Sequence, residues 1–117
     1  METKIKQELG NLADFIEAQQ KLYGAKFDIR GVVSFTTEAL FFNVAAFKPD
    51  NSLKIVAFVS DYVRCSEVEE ATKKIKNVAS EFADKIAKYS SEEKDALLTR
   101  KAELEAELAT INVKLDN

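Results

Sequence analysis

The chain has 117 residues and a mass of 13.1 kDa, enough for one compact domain. Hydrophobic residues make up 46% and charged residues 32%, while the formal net charge is only −3, a combination that argues against a disordered chain. The absence of histidine excludes histidine-based acid–base catalysis and the commonest transition-metal ligand. The three glycines are scattered, so they do not form a phosphate-binding loop.

The first 23 residues have the spacing of an amphipathic helix. Apolar residues recur at intervals of three or four, or of their sum, on one helical face: Ile5, Leu9, Leu12, Ile16 and Tyr23. Gly24 follows, where many helices end in a left-handed residue. We therefore predict a first helix over residues 2–23.

The apolar period then changes to two, which is typical of β-strands. We predict strands over residues 26–36, 39–47 and 53–59, with a tight turn at residues 48–52. Phe35 opposite Leu40 closes the first predicted hairpin. In the second, Ala46 is predicted to lie opposite Ile55. Both registers place the same middle-strand residues on one face, which favours a three-stranded antiparallel meander.

The opposite face of this sheet is also apolar, although a solvated antiparallel sheet should be polar there. The residues we predict to form a protein interface on this face are Phe41, Phe47, Val56 and Phe58. Burying a side chain such as Phe is worth about 1.5–3 kcal/mol, so leaving several in water is unfavourable. Either a helix of the same chain covers this face, or a partner protein or a second copy does.

Residues 66–117 have helical spacing and contain two capping-box sequences. Ser66 precedes Glu69 by three residues, and Ser90 precedes Glu93 in the same way. This spacing predicts two long C-terminal helices, or one long helix that kinks at Ser90.

The last segment also has heptad spacing, which is typical of a short coiled coil or a packed helical hairpin. Its a and d positions are occupied by Leu97, Leu104, Leu108, Ile111 and Leu115, with Lys94 and Lys101 in the two remaining positions. The residues we predict to form a protein interface on this segment are Leu104, Leu108, Ile111 and Leu115.

Together these elements predict an α+β fold with an N-terminal helix, a three-stranded antiparallel meander and two long C-terminal helices, arranged as a helical hairpin or coiled coil. We expect a single domain over residues 1–117. Residues 1–65 would form the helix and the sheet, and residues 66–117 the helical extension.

Little in the sequence indicates catalysis. Glu103 and Glu107 share a helical face that could hold a hard cation, but a solvated acidic face is the simpler interpretation. Cys65 has no histidine to activate it. We expect no catalytic residue, no cofactor, no metal site and no enzymatic activity.

The apolar surfaces indicate a non-enzymatic protein-interaction module: an adaptor, assembly factor, chaperone or inhibitor of another protein. We expect it to act as a homodimer through the sheet face and the C-terminal heptads. The alternative is a nucleic-acid-binding dimer in which Arg30 and Lys54 lie beside Phe47 and Phe58. The sequence pI of about 5.1 disfavours a nucleic-acid partner.

The N-terminal residues carry charges of both signs and lack the apolar run of a secretory signal. No segment has the ~18 consecutive apolar residues of a membrane helix, so we expect no membrane partner. The lone thiol of Cys65 fits a reducing compartment. We therefore expect a cytoplasmic protein, in the host cytoplasm if the gene is viral.

Overall fold

The computed structural model describes residues 2–50 and 54–116. In chain order the elements are α1 (Thr3–Tyr23), a 3₁₀ turn (Gly24–Lys26), β1 (Asp28–Phe35), β2 (Ala39–Phe47), β3 (Ile55–Arg64) and α2 (Val68–Asp116). The three strands form one antiparallel sheet in the order β1-β2-β3. The predicted α+β class, N-terminal helix and antiparallel meander are confirmed.

The chain divides into two compact units, Met1–Ile86 and Ala87–Asn117. The first unit contains α1, the sheet and the residues of α2 up to Ile86. The second consists of the α2 residues from Ala87 onward.

Helix α1 ends where its sequence predicts and begins one residue later, at Thr3. The Glu2 side chain accepts a hydrogen bond from the Lys4 N–H at 3.1 Å, which satisfies one of the free donors of the first turn. At the other end Gly24 has a φ of 55° and donates its N–H to the Gln20 carbonyl. A positive φ favours glycine, so the chain leaves the helix at this residue.

The first hairpin has the predicted register. Phe35 lies opposite Leu40, and Ile29 lies opposite Ala46. The Thr36 N–H donates to the Ala39 carbonyl at 2.9 Å and closes the turn.

The predicted register of the second hairpin is wrong by two residues, because Ala46 pairs with Ala57 and not with Ile55. One residue of this error comes from a β-bulge between Ala46 and Phe47, where Val56 is the extra residue. The other lies on the turn side of the bulge, where Phe47 pairs with Ile55 although the predicted register places Lys54 there. From Ala57 onward the shift is two residues, so those side chains stay on their predicted faces, whereas Ile55 changes to the face of Phe47. Leu53, the predicted start of this strand, and the turn residues Asn51 and Ser52 lie outside the described residues.

Strand β3 also ends at Arg64, five residues beyond the predicted end at Val59. Ser60 and Asp61 interrupt the apolar run, but both pair with β2, and Val63 is buried opposite Leu40. The backbone alternation therefore continues through two polar residues.

The core lies on one side of the sheet, here called the inner face. Its buried sheet residues are Ile29, Leu40, Phe42, Val44, Ala46, Ala57, Val59 and Val63. Both helices of the first unit supply the covering layer: Ile5 and Leu12 from α1, with Ala71, Ile75, Val78, Phe82 and Ile86 from α2. The Phe15 and Phe82 rings meet edge to face with centroids 6.2 Å apart, which joins the two helices.

At Gly31 the Ile16 side chain of α1 packs directly against the sheet. A β-carbon added at Gly31 would overlap the Ile16 Cδ1 atom. We predict that Gly31→Ala lowers the free energy of unfolding by about 1 kcal/mol, because the Ile16 Cδ1 methyl group must rotate away from the added β-carbon. Ile16→Val removes that methyl group, so the double variant should lose less stability than the two single losses added together. Urea unfolding of the four proteins measures this coupling, and additive losses would contradict the close contact.

In place of the two predicted C-terminal helices, the structure has one helix, α2. The prediction of a new helix after Ser90 is therefore wrong. The last proline is Pro49 and the last glycine is Gly31, so no helix-breaking residue follows Val68. A Ser-x-x-Glu sequence within such a segment costs a few tenths of a kcal/mol, and the helix continues through it. At the start of α2 the Ala71 N–H donates to the Glu67 carbonyl at 2.8 Å, so the helix begins one residue later than Ser66 predicts.

Candidate protein-interaction surfaces

The side of the sheet away from both helices, here called the outer face, carries aromatic side chains. Phe41 lies opposite Tyr62 and Ala45 lies opposite Phe58 in the β2–β3 ladder. The Phe41 and Tyr62 rings stack with centroids 5.7 Å apart and an angle of 21° between their planes. Phe41 is 49% exposed, Phe58 46% and Tyr62 60%. Large aromatic side chains of a folded unit therefore remain half in water.

The predicted sheet residues lie on β2 and β3, but they are not equally accessible. Phe41 and Phe58 are exposed, whereas Phe47 and Val56 are only partly exposed. The bulge brings Ile55 opposite Phe47 and leaves Ile55 exposed. Ile55 and Tyr62 are thus outer-face residues that the sequence analysis missed.

Polar residues divide this surface into two parts. Asn43 and Ser60 face each other between the Phe41–Tyr62 pair and the Ala45–Phe58 pair. Val32 completes the same row on β1 and is 54% exposed. On β2 and β3 the outer face therefore has two apolar clusters separated by Asn43 and Ser60, and the apolar Val32 lies beside Asn43 on β1.

The free edges of the sheet are occupied by long polar side chains. The Lys85 Nζ donates to the Phe58 carbonyl at 3.2 Å, and the Lys74 Nζ donates to the Tyr62 carbonyl at 3.1 Å. At the other edge the Gln20 Nε2 donates to the Ile29 carbonyl at 2.9 Å. Filled carbonyls and edge lysines disfavour the addition of a further strand.

Charged groups rim the outer face. The Arg30 guanidinium lies 5.6 Å from the centroid of the Phe47 ring and 2.6 Å from the Asp28 carboxylate. The hydrogen bonds from Arg30 to Asp28, together with the attraction between their charges, raise the pKa of Arg30 above its usual value. The predicted neighbourhood of Arg30 and Phe47 is present, and Asp28 neutralises the cation within it.

The second surface lies on the α2 residues of the second unit and is here called the C-terminal seam. It comprises Leu97, Leu104, Leu108, Ile111 and Leu115, with Lys94 and Lys101 completing the heptad positions. Each of the five apolar residues is about half or more exposed, from 48% at Leu104 to 77% at Leu115. One helix therefore presents an apolar stripe to solvent, which Lys101 interrupts between Leu97 and Leu104.

Ion pairs flank the C-terminal seam. Arg100 lies 3.2 Å from the Glu103 carboxylate and 4.0 Å from the Glu107 carboxylate, and Lys101 lies 4.0 Å from Glu105. The carboxylates of the predicted acidic pair, Glu103 and Glu107, therefore both form ion pairs with Arg100.

Potential chemical groups are few in the described part of the chain. No set of three His, Cys, Asp or Glu side chains could hold a metal ion among residues 2–50 and 54–116. The free Cys65 lies in an open cleft with Phe35, Thr36, Thr37, Ser66 and Glu2. That cleft holds no described base beside the thiol other than the Glu2 carboxylate. The exposed apolar surfaces are therefore the features that require a functional explanation.

Comparison with protein families, with curated proteins and with solved structures gives no match for this chain. Within the described ranges, no helix combines the length and the apolar character needed to cross a bilayer.

Proposed function

We propose that this protein is a non-enzymatic protein-interaction module, an adaptor, assembly factor, chaperone or inhibitor of another protein. It acts as a homo-oligomer, and its contacts are made by the outer face of the sheet and by the C-terminal seam. The lone thiol of Cys65 supports a reducing compartment, and we place the protein in the cytoplasm.

The observation that carries this proposal is the half-exposed aromatic surface of Phe41, Phe58 and Tyr62. Contiguous apolar patches on soluble proteins commonly mark interaction sites, because covering them removes apolar area from water. Both helices of the first unit already cover the inner face, so they do not supply this cover. The simplest way to remove these aromatic side chains from water is contact with the surface of a second protein.

The composition of the outer face also resembles that of protein interfaces. Aromatic residues are enriched at the centre of such interfaces, and charged residues lie at the rim. Here the aromatic pair of Phe41 and Tyr62 has Lys74 within 5.7 Å of the Tyr62 ring, and Asp61 lies 3.9 Å from the same lysine. Apolar groups would supply affinity, and the charges would set orientation.

We predict that Phe58→Thr weakens self-association or partner binding by tenfold or more, as expected for truncation of a ring worth about 2 kcal/mol at an interface. Threonine keeps a high strand propensity, so the sheet should be retained. Phe35→Thr is the matched control, since Phe35 is exposed on β1 but lies across the sheet from the outer face. Sedimentation equilibrium measures the effect, and equal losses in both variants would count against an outer-face interface.

The nucleic-acid alternative has one observation in its favour, the position of Arg30 over Phe47. It requires affinity for single strands that falls steeply as salt is added, and that is lost in the variant Arg30→Glu, Lys54→Glu. Salt-sensitive binding of this kind by the wild-type chain would replace the protein-interaction proposal. Binding that is absent at low salt would remove the alternative.

A further inference from the structure

The two lysines of the C-terminal seam restrict how it can pair with a second copy. With Lys94 and Lys101 at a positions, Leu97 and Leu104 occupy d positions. A parallel pair of helices would set each lysine against the same lysine of the second copy. Two such layers of like charge oppose parallel pairing.

An antiparallel pair sets each lysine against an apolar residue, because a positions then face d positions. We consider the antiparallel pair whose two-fold axis passes midway between Lys101 and Leu104. In this register Lys101 lies against the second copy's Leu104, and Leu97 lies against the second copy's Leu108. Lys94 faces the second copy's Ile111. The lysine stems can then cover apolar surface while their ammonium groups stay in water.

The same register also matches the charges beside the seam. On one side of it, the flanking positions hold charges of alternating sign: Glu93, Arg100, Glu107 and Lys114. In the antiparallel register, Arg100 meets the second copy's Glu107, and Glu93 meets the second copy's Lys114. The two-fold axis repeats both pairs, so four ion pairs of opposite charge flank the seam. Charge register of this kind determines partner orientation in coiled coils.

The extent of the overlap agrees with this register. It covers residues 90–115 of each copy, about 39 Å of helix at 1.5 Å per residue, and these residues lie within the second unit.

We propose that residues 90–115 form an antiparallel two-stranded coiled coil with a second copy of this chain, in the register that pairs Arg100 with Glu107 and Glu93 with Lys114. This inference specifies the partner of the C-terminal seam, and it rests on the homo-oligomeric function proposed above. Both copies contribute the same surface, as in a closed two-fold dimer.

Engineered cysteines test the orientation in the 117-residue chain with Cys65→Ser. Leu97→Cys and Leu108→Cys are prepared as separate proteins that carry tags of different size. The antiparallel register predicts a mixed disulfide when the two are combined under mild oxidation. It predicts little disulfide within either protein alone, because each cysteine lies about 16 Å along the helix from its counterpart in the second copy. Circular dichroism checks that each variant remains helical.

Charge reversal tests the register without cysteines. Glu107→Lys turns two attractions with Arg100 into two repulsions, so we expect the dimer dissociation constant to rise about tenfold. Glu103→Lys is the matched control: it makes the same change beside Arg100 on the same helix, but at a position facing away from the second copy. Arg100→Glu should restore association in the Glu107→Lys protein.

The disulfide and charge-reversal experiments can overturn the antiparallel register without overturning the proposed homo-oligomeric function. Disulfides within each single-cysteine protein, without the mixed product, would mean parallel pairing and would overturn the inference while leaving the homo-oligomer. A second result would also overturn the inference and leave the homo-oligomer. In that result the chain forms a dimer, none of these disulfides appears, and Glu107→Lys and Glu103→Lys have equal effects, so the contact lies elsewhere. A chain that stays monomeric at every concentration would overturn both proposals.

Discussion

Replacing Phe82 with alanine should lower the free energy of unfolding by about 3–5 kcal/mol, a large part of the stability of a domain of this size. The Phe82 side chain is fully buried, and its ring packs edge to face on Phe15. Truncation would remove apolar contacts in the layer that joins α1, α2 and the inner face. Urea unfolding monitored by circular dichroism measures the loss.

Phe35→Ala is the matched control for this substitution, because Phe35 is 63% exposed at the end of β1. We expect its stability change to be below about 1 kcal/mol, as for most exposed positions. Similar losses from Phe82→Ala and Phe35→Ala would contradict the placement of Phe82 in the buried core.

Replacing Ser91 with proline should break α2 at the point where the sequence analysis placed a new helix. Ser91 lies within the helix, so proline would remove one backbone hydrogen bond and clash with the preceding turn. The local cost is about 3 kcal/mol or more, which corresponds to a decrease of about a hundredfold in amide-exchange protection near residues 87–94. Hydrogen exchange with mass spectrometry measures it.

Ser91→Ala provides the control and should raise protection slightly, since alanine has the highest helix propensity. The comparison also distinguishes the two interpretations of the Ser90 capping box. If a helix began after Ser90, position 91 would be its first residue, where proline is favourable. Unchanged protection in Ser91→Pro would therefore contradict the continuous helix.

The elements that the sequence predicted correctly are those whose signals are local. Gly24 ends α1 because its positive φ favours glycine, and the Phe35–Leu40 hairpin follows from strict alternation across a short turn. The second hairpin contains a bulge at Phe47, which inserts one residue without a marker in the sequence. A capping-box sequence does not by itself specify the start of a helix. Ser90 and Glu93 also fit within a helix that no glycine or proline interrupts.

The candidate surfaces were partly predictable because local alternation assigns side chains to one face of the sheet. Face alternation placed Phe41 and Phe58 on the outer face, and a register error of two residues did not change their side. Tyr62 was missed because the predicted strand stopped at Val59, although Phe58, Ser60 and Tyr62 continue the alternation. Ile55 was missed because only the bulge brings it opposite Phe47. Whether helices would cover the outer face depends on tertiary packing, which periodicity does not specify.

The account depends on the idea that the outer face and the C-terminal seam are contact surfaces, and the molar mass of the unmodified chain in solution tests it most directly. Multi-angle light scattering from low to high micromolar concentration should give a mass that rises with concentration from the 13.1 kDa of one chain toward twice that value. A mass that stays at 13.1 kDa at every concentration would contradict it.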